Sequence, residues 1–173
     1  MFLRGINVGG HRKVPMAALR DVITKVTGDP EPKTHIASGN AVFVSDMPRD
    51  SLTVDLHAAI ETRFGFAVPV LLLTAGEVAA VLQTCPWPEA EGRTVHVNLC
   101  FTEPAVDPEQ VARWSTSDER IAITGRTVWI LTPNGYGKSQ LADRLALGAE
   151  STARNLNTLR TCAKMAEIGG ISG

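Results

Sequence analysis

The chain has 173 residues, of which 44% are hydrophobic and 20% charged, and its net charge is −1. This predicts one domain, or two small halves sharing a core, large enough to need no metal or disulfide staple. The balance excludes a disordered chain, and the longest apolar stretch, within Ala67 to Thr74, is far short of the ~20 residues a membrane span needs.

In chain order, Phe2 to Val8 reads as a short apolar strand entering a Gly-rich loop, Asn7 to Lys13. Pro15 suits a first helical turn, and Met16, Leu19, Val22, Ile23 and Val26 follow at helical spacing until Gly28. Thr34 to Ser38 and Ala41 to Val44 are β-type runs, and Gly39-Asn40 between them predicts a two-residue type II′ turn. Ser51 is placed to cap a helix through Leu52, Leu56, Ala59, Ile60 and Phe64, and Val68 to Leu73 closes the half as a strand. The order β-α-β-β-α-β is that of the ferredoxin-like plait.

After a helix from Ala75 to Leu82 and a connector rich in proline, the second half repeats the pattern. It has a strand at Val95 to Phe101, a helix at Pro108 to Trp114 and a hairpin, Ile121 to Thr124 with Thr127 to Leu131. Helices at Ser139 to Leu147 and Arg154 to Ile168 end the chain. The predicted fold class is α+β. It comprises two ferredoxin-like (β-α-β-β-α) plait halves, residues 1–74 and 75–173, with mostly antiparallel sheets and an extra C-terminal helix. The hairpins align as Ser38-Gly39-Asn40-Ala41-Val42-Phe43 with Thr124-Gly125-Arg126-Thr127-Val128-Trp129, which points to an internal duplication. On this alignment Phe43 and Trp129 share one sheet face, and Val42, Val44, Val128 and Ile130 lie under the helices.

Charge is unevenly spread. Met1 to Arg20 carry Arg4, Arg12, Lys13 and Arg20 with no acid, whereas Asp21 to Glu150 hold 10 basic and 17 acidic residues. Arg4 and the glycines after it interrupt any signal-peptide core. Cys85, Cys100 and Cys162 are scattered with no CxxC pair, so a cytoplasmic chain with reduced thiols is expected. Four histidines in four different elements show no metal-ligand spacing, so neither a metal nor a cofactor is predicted. Thr132 to Ser139 has the strand, loop, GKS and helix order of a P-loop. However, Thr132 stands where the first glycine belongs, and Pro133 lacks a donor N–H.

The candidate site is a polar end of the first sheet. Gly9 and Gly10 let backbone N–H groups converge on an anion, and strand exit and hairpin turn share that end of a plait. Arg4, Asn7, Gly9, Gly10, Arg12, Lys13, Ser38 and Asn40 are its residues, and Arg154 with Asn155 is a basic-amide pair that fits the same use. The expected partner is an anionic small molecule or nucleic acid. The alternatives are an enzyme acting on a small anionic substrate, for which no catalytic constellation is nominated, and a protein-protein interaction module.

Leu3-Arg4-Gly5-Ile6-Asn7-Val8-Gly9-Gly10, Val14-Pro15-Met16-Ala17-Ala18-Leu19-Arg20 and Ser38-Gly39-Asn40-Ala41-Val42-Phe43 resemble the bacterial domain-of-unknown-function family numbered 1697. So do Asn134-Gly135-Tyr136-Gly137-Lys138-Ser139 and Thr152-Ala153-Arg154-Asn155-Leu156-Asn157-Thr158. The resemblance implies two plait-like halves and no particular reaction. Members of that family begin a few residues ahead of the Leu3 equivalent, which leaves the first strand short here. Leu156 and Thr161 replace a usual tryptophan and lysine.

Overall fold

The computed structural model describes residues 1–168, and the chain divides into two compact units. Met1–Val78 with the residues from Thr161 onward form the first, and Ala79–Arg160 the second.

The first unit contains β1 (Phe2–Leu3), α1 (Met16–Thr27), β2 (Lys33–His35), β3 (Asn40–Val42), α2 (Arg49–Phe64) and β4 (Val70–Leu71). Its sheet runs β2-β3-β1-β4 with every neighbour antiparallel, which is the plait order. Helical spacing holds in α1, where Leu19, Val22 and Ile23 are buried, and in α2, where Leu52, Leu56 and Ile60 are. Fully burying each such side chain contributes about 1.5–3 kcal/mol. Gly28 and Gly65 end the helices in left-handed conformations, their N–H groups bonding the carbonyls of Thr24 and Glu61. Pro48, not Ser51, stands at the cap position of α2, so that helix starts earlier than expected.

After α3 (Ala75–Gln83), the second unit contains β5 (Val95–Cys100), α4 (Pro108–Trp114), β6 (Arg120–Thr124), β7 (Thr127–Leu131), a 3-10 turn (Tyr136–Lys138), α5 (Gln140–Arg144) and β8 (Ser151–Asn155). Its sheet order, β6-β7-β5-β8, repeats that of the first unit position for position. Here the sequence reading needs correction: Arg154 and Asn155 end a strand rather than begin a helix. Thr152 and Arg154 are buried while Ser151, Ala153 and Asn155 are half-buried, a period of two carried by polar residues that hides the strand from a hydrophobic reading. The last helix, α6 (Leu156–Ile168), starts two residues later than expected, where Asn155 Oδ1 accepts from Thr158 N at 2.8 Å. Ser139 likewise caps α5, accepting from Ala142 N, but α5 stops at Arg144, short of the predicted Leu147.

The hairpins sit in equivalent places but are built differently. The second closes with the predicted two-residue turn, Thr124 facing Thr127. The first pairs His35 with Asn40 and closes with four residues, Ile36 to Gly39, not with a Gly39-Asn40 turn. Asn40 and Thr127 therefore open the equivalent strands, and each bonds its side chain to the carbonyl across or near the turn. Asn40 Nδ2 donates to His35 O at 3.0 Å, and Thr127 Oγ1 to Thr124 O at 2.6 Å. The equivalence is thus one residue out of step with the sequence alignment, and a one-residue slip exchanges faces. Val128 and Ile130 pack with Val111 and Leu141 of α4 and α5, as expected. In the first unit, Ala41 and Phe43 instead pack with the α1 and α2 cluster, and Val42 does not.

Candidate functional site

Asn7 organises the first loop. Its Oδ1 accepts from Val14 N at 2.9 Å while Nδ2 donates to Val14 O at 3.0 Å, so one carboxamide ties both backbone groups of the residue before Pro15. Asn7 N donates to Arg12 O, and His11 N to Val8 O, which closes residues 7–12 into a small hairpin. Gly9 and Gly10 form its tip with φ of 58° and 80°, a region open to glycine without steric cost. Their N–H groups donate to no acceptor among the described residues, and the tip from Val8 to Lys13 is exposed.

The same carboxamide joins this loop to the first hairpin, since Asn7 Nδ2 also donates to Ala37 O at 2.7 Å. Leu3 N donates to Gly39 O at 2.9 Å, and a Cβ on Gly39 would stand 2.7 Å from Leu3 Cβ and 2.8 Å from Ile6 Cδ1. Only glycine fits there. Asn40 is fully buried, and its Nδ2 also donates to the half-buried Ser38 Oγ at 2.9 Å. Asn7 and Asn40 therefore shape the two loops rather than present free amides at the surface.

Among the described residues, the non-glycine positions with positive φ are Asn7 (54°), Arg12 (50°) and Ile36 (48°), and all three lie in these two joined loops. Asparagine tolerates that region, but a β-branched residue there costs of order 1–3 kcal/mol. Ile36 is 54% exposed, so burial does not offset its strain.

The cations are placed around this frame. Arg12 donates from Nη2 to Ala67 O at 2.7 Å, and its guanidinium lies 5.7 Å from the Phe66 ring centroid. Lys13 and Arg4 are exposed, and Arg20 donates from Nη1 to Thr34 Oγ1. The start of α1, next along the chain, has no side-chain cap and no acid in its first turn, so its leading N–H groups stay available to a negative charge.

Arg154 and Asn155 belong to the second unit. Arg154 is buried in its sheet and donates from Nη1 to Thr152 Oγ1 and Ala153 O, both at 2.7 Å. Asn155 caps α6. Both have internal tasks. The GKS segment is a 3-10 turn leaving an antiparallel strand, and the helix after it is only Gln140–Arg144.

Sequence reasoning missed Ile36, Phe66 and Ala67, because neither strain nor a carbonyl-arginine contact leaves a composition signal. It also passed over His96, whose ring stacks on Tyr136 at 3.9 Å. Burial lowers His96 to about 4, and its Nδ1 has no hydrogen-bond partner among the described residues. Burial also raises Tyr136, a shift its hydrogen bond with Asn98 partly reverses. Among the described residues, no group of three or more His, Cys, Asp or Glu side chains is arranged to hold a metal ion. No helix there is long and apolar enough to cross a membrane.

Residues 1–129 match the model of a family described as protein of unknown function (DUF1697). Among solved structures, the conserved bacterial protein SP0830 from Streptococcus pneumoniae is similar, with a TM-score of 0.71 and 25% identity over 96% of each chain. No curated protein matches the chain.

Proposed function

The chain belongs to the DUF1697 family, and on that premise we propose that the joined loops of its first unit bind an anionic ligand, a phosphorylated metabolite or a nucleic acid. The observation that carries this reading is the gathering of all three strained non-glycine residues into two loops that one asparagine side chain locks together. Backbone strain persists only where the surroundings impose it, and it clusters at ligand sites. The ligand's sign follows from what the loops present: free N–H groups at Gly9 and Gly10, the cations Arg4, Arg12 and Lys13, and the acid-free start of α1.

In this reading the roles divide. Gly9 and Gly10 supply backbone donors, and Lys13 supplies a mobile charge. Arg12 supplies a guanidinium already oriented by Phe66 and Ala67, which lowers the ordering cost of its contacts. Ser38 and Arg4 flank them, and Asn7 and Asn40 hold the loops. Arg154 and Asn155, in the second unit, serve its sheet and the start of α6. A cytoplasmic place of action belongs to the same reading, in keeping with three buried cysteines that form no disulfide among the described residues.

The test is a binding screen of phosphorylated metabolites and short oligonucleotides against the wild type and an Arg12→Ala/Lys13→Ala variant. A charge-assisted contact contributes about 1.5–3 kcal/mol, so losing two weakens binding by at least ~100-fold. If nucleic acid is the ligand, affinity also falls steeply with salt as counterions are released. A ligand that binds both proteins equally refutes the proposal.

A further inference from the structure

Among the described residues the two sheets have four outer strands, and β6 stands apart from the rest. β2 has three residues, follows Pro30 and Pro32 and carries Lys33, the short, charged and proline-flanked build that discourages pairing. β4 has two residues, both buried, and β8 is buried or half-buried along its length. β6 has five residues, Arg-Ile-Ala-Ile-Thr, with no proline and none of them buried, and Ile123 is 49% exposed.

Thr124 and Thr127 close the two-residue turn, so they, Ala122 with Trp129 and Arg120 with Leu131 are the hydrogen-bonded pairs of the β6-β7 ladder. The bonds of Cys100 N to Arg126 O and of Thr132 N to Thr94 O fix the same alternation on the other side of β7. The N–H and C=O of Ile121 and Ile123 therefore point away from β7, off the edge of the sheet. They have no hydrogen-bond partner among the described residues.

We propose that β6 pairs with β6 of a second copy of this chain, antiparallel and about a two-fold axis beside Ala122. With Ala122 opposite Ala122, Ile121 of each copy faces Ile123 of the other, and these are the residues whose backbone groups are unpaired. Ile121 already packs with the core of the second unit, so the exposed Ile123 of the second copy extends that apolar row. Further out, where the strands pass into turns, Asp118 of one copy comes beside Arg126 of the other, and both are exposed. Arg120 faces Thr124, and its guanidinium is turned back onto Ser117 O and Glu119 O. A two-residue slip one way sets Arg120 against Arg126, and the other way sets Glu119 against Ile123. The charges thus select one register. They also select a second copy as the occupant, because the strand and its flanks are complementary to themselves. This inference does not depend on the anion-binding reading.

The experiment is sedimentation equilibrium of the full chain from about 10 μM to about 1 mM, with backbone amide exchange followed over the same range. The mass rises from the 18.5 kDa of one chain toward twice that value. Exchange at Ile121 and Ile123 slows as concentration rises, while that at Thr34, in the outer strand β2, does not. Asp118→Arg and Arg126→Asp, each alone, set like charges together at both ends of the pair and raise the dissociation constant at least ~10-fold. Mixed in equal amounts, the two variants associate again, since each supplies the charge the other has lost. A chain that keeps the mass of one copy at the highest concentration overturns the proposal. Protection of Ile121 and Ile123 that is independent of concentration overturns it as well, because residues of the same chain then cover the edge. So does a mixture that associates no better than either variant alone, because the contact between copies then lies elsewhere.

Discussion

Gly39→Ala strikes the point where the first hairpin meets β1 and the first loop. At φ 76° an added Cβ enters the left-handed region, which costs a non-glycine residue about 1–2 kcal/mol. It also stands 2.7 Å from Leu3 Cβ and 2.8 Å from Ile6 Cδ1, both on buried side chains, and overpacking of that kind costs about 1–3 kcal/mol. The reduced freedom of the unfolded chain returns about 0.4–1 kcal/mol. The net is a loss of about 3 kcal/mol, or roughly 10 °C in melting temperature. Gly125, in the equivalent hairpin, is the internal control. Its φ is 52°, but a Cβ there meets nothing within 4 Å, so Gly125→Ala costs about 1 kcal/mol. Thermal melts of the two variants by circular dichroism decide the matter. Equal losses would refute the claim that close packing of the hairpin on β1 holds the loops in place.

Three further outcomes follow from the same geometry. Asn40→Ala removes the clasp on His35 O and Ser38 Oγ inside a fully buried site and costs about 2 kcal/mol in chemical unfolding, with a secondary loss of anion affinity. Burial holds His96 near 4 against an ordinary 6.5, so the unfolded chain binds its proton more readily. Its contribution is full above about pH 6.5 and is lost as pH falls toward 4, and in melts across that range His96→Phe, which keeps the stack on Tyr136, loses less stability than the wild type. ATP with magnesium leaves the melting temperature unchanged, although at 1,000 times the dissociation constant a P-loop site would add about 4 kcal/mol; a shift abolished by Lys138→Ala would restore the nucleotide reading.

The sequence made the plait order legible because its helices carry aliphatic residues at helical spacing and end at glycines, as Leu19, Val22, Ile23 and Gly28 show. It concealed β8 because Ser151-Thr152-Ala153-Arg154-Asn155 alternates in burial without alternating in hydrophobicity. It misled on the first hairpin because Gly39 resembles Gly125 in the alignment while serving a different purpose. Gly39 is there for the close approach of Leu3, and the strained residue that lengthens the turn is Ile36, which β propensity disfavours at such a position. At the candidate site, the Gly9-Gly10 tip and its basic neighbours were readable from composition. The internal tasks of Asn7, Asn40 and Arg154 depend on partners far along the chain or on strand register, which no local pattern encodes.

The most direct test of the anion-binding reading is a nitrogen-15 correlation spectrum of the full chain titrated with pyrophosphate. The amide signals of Gly9, Gly10 and Lys13 are predicted to move together and saturate, and those of Gly9 and Gly10 to stay still in the Arg12→Ala/Lys13→Ala variant. Saturable shifts confined to other parts of the chain, or shifts at the loop that persist unchanged in the variant, would contradict it.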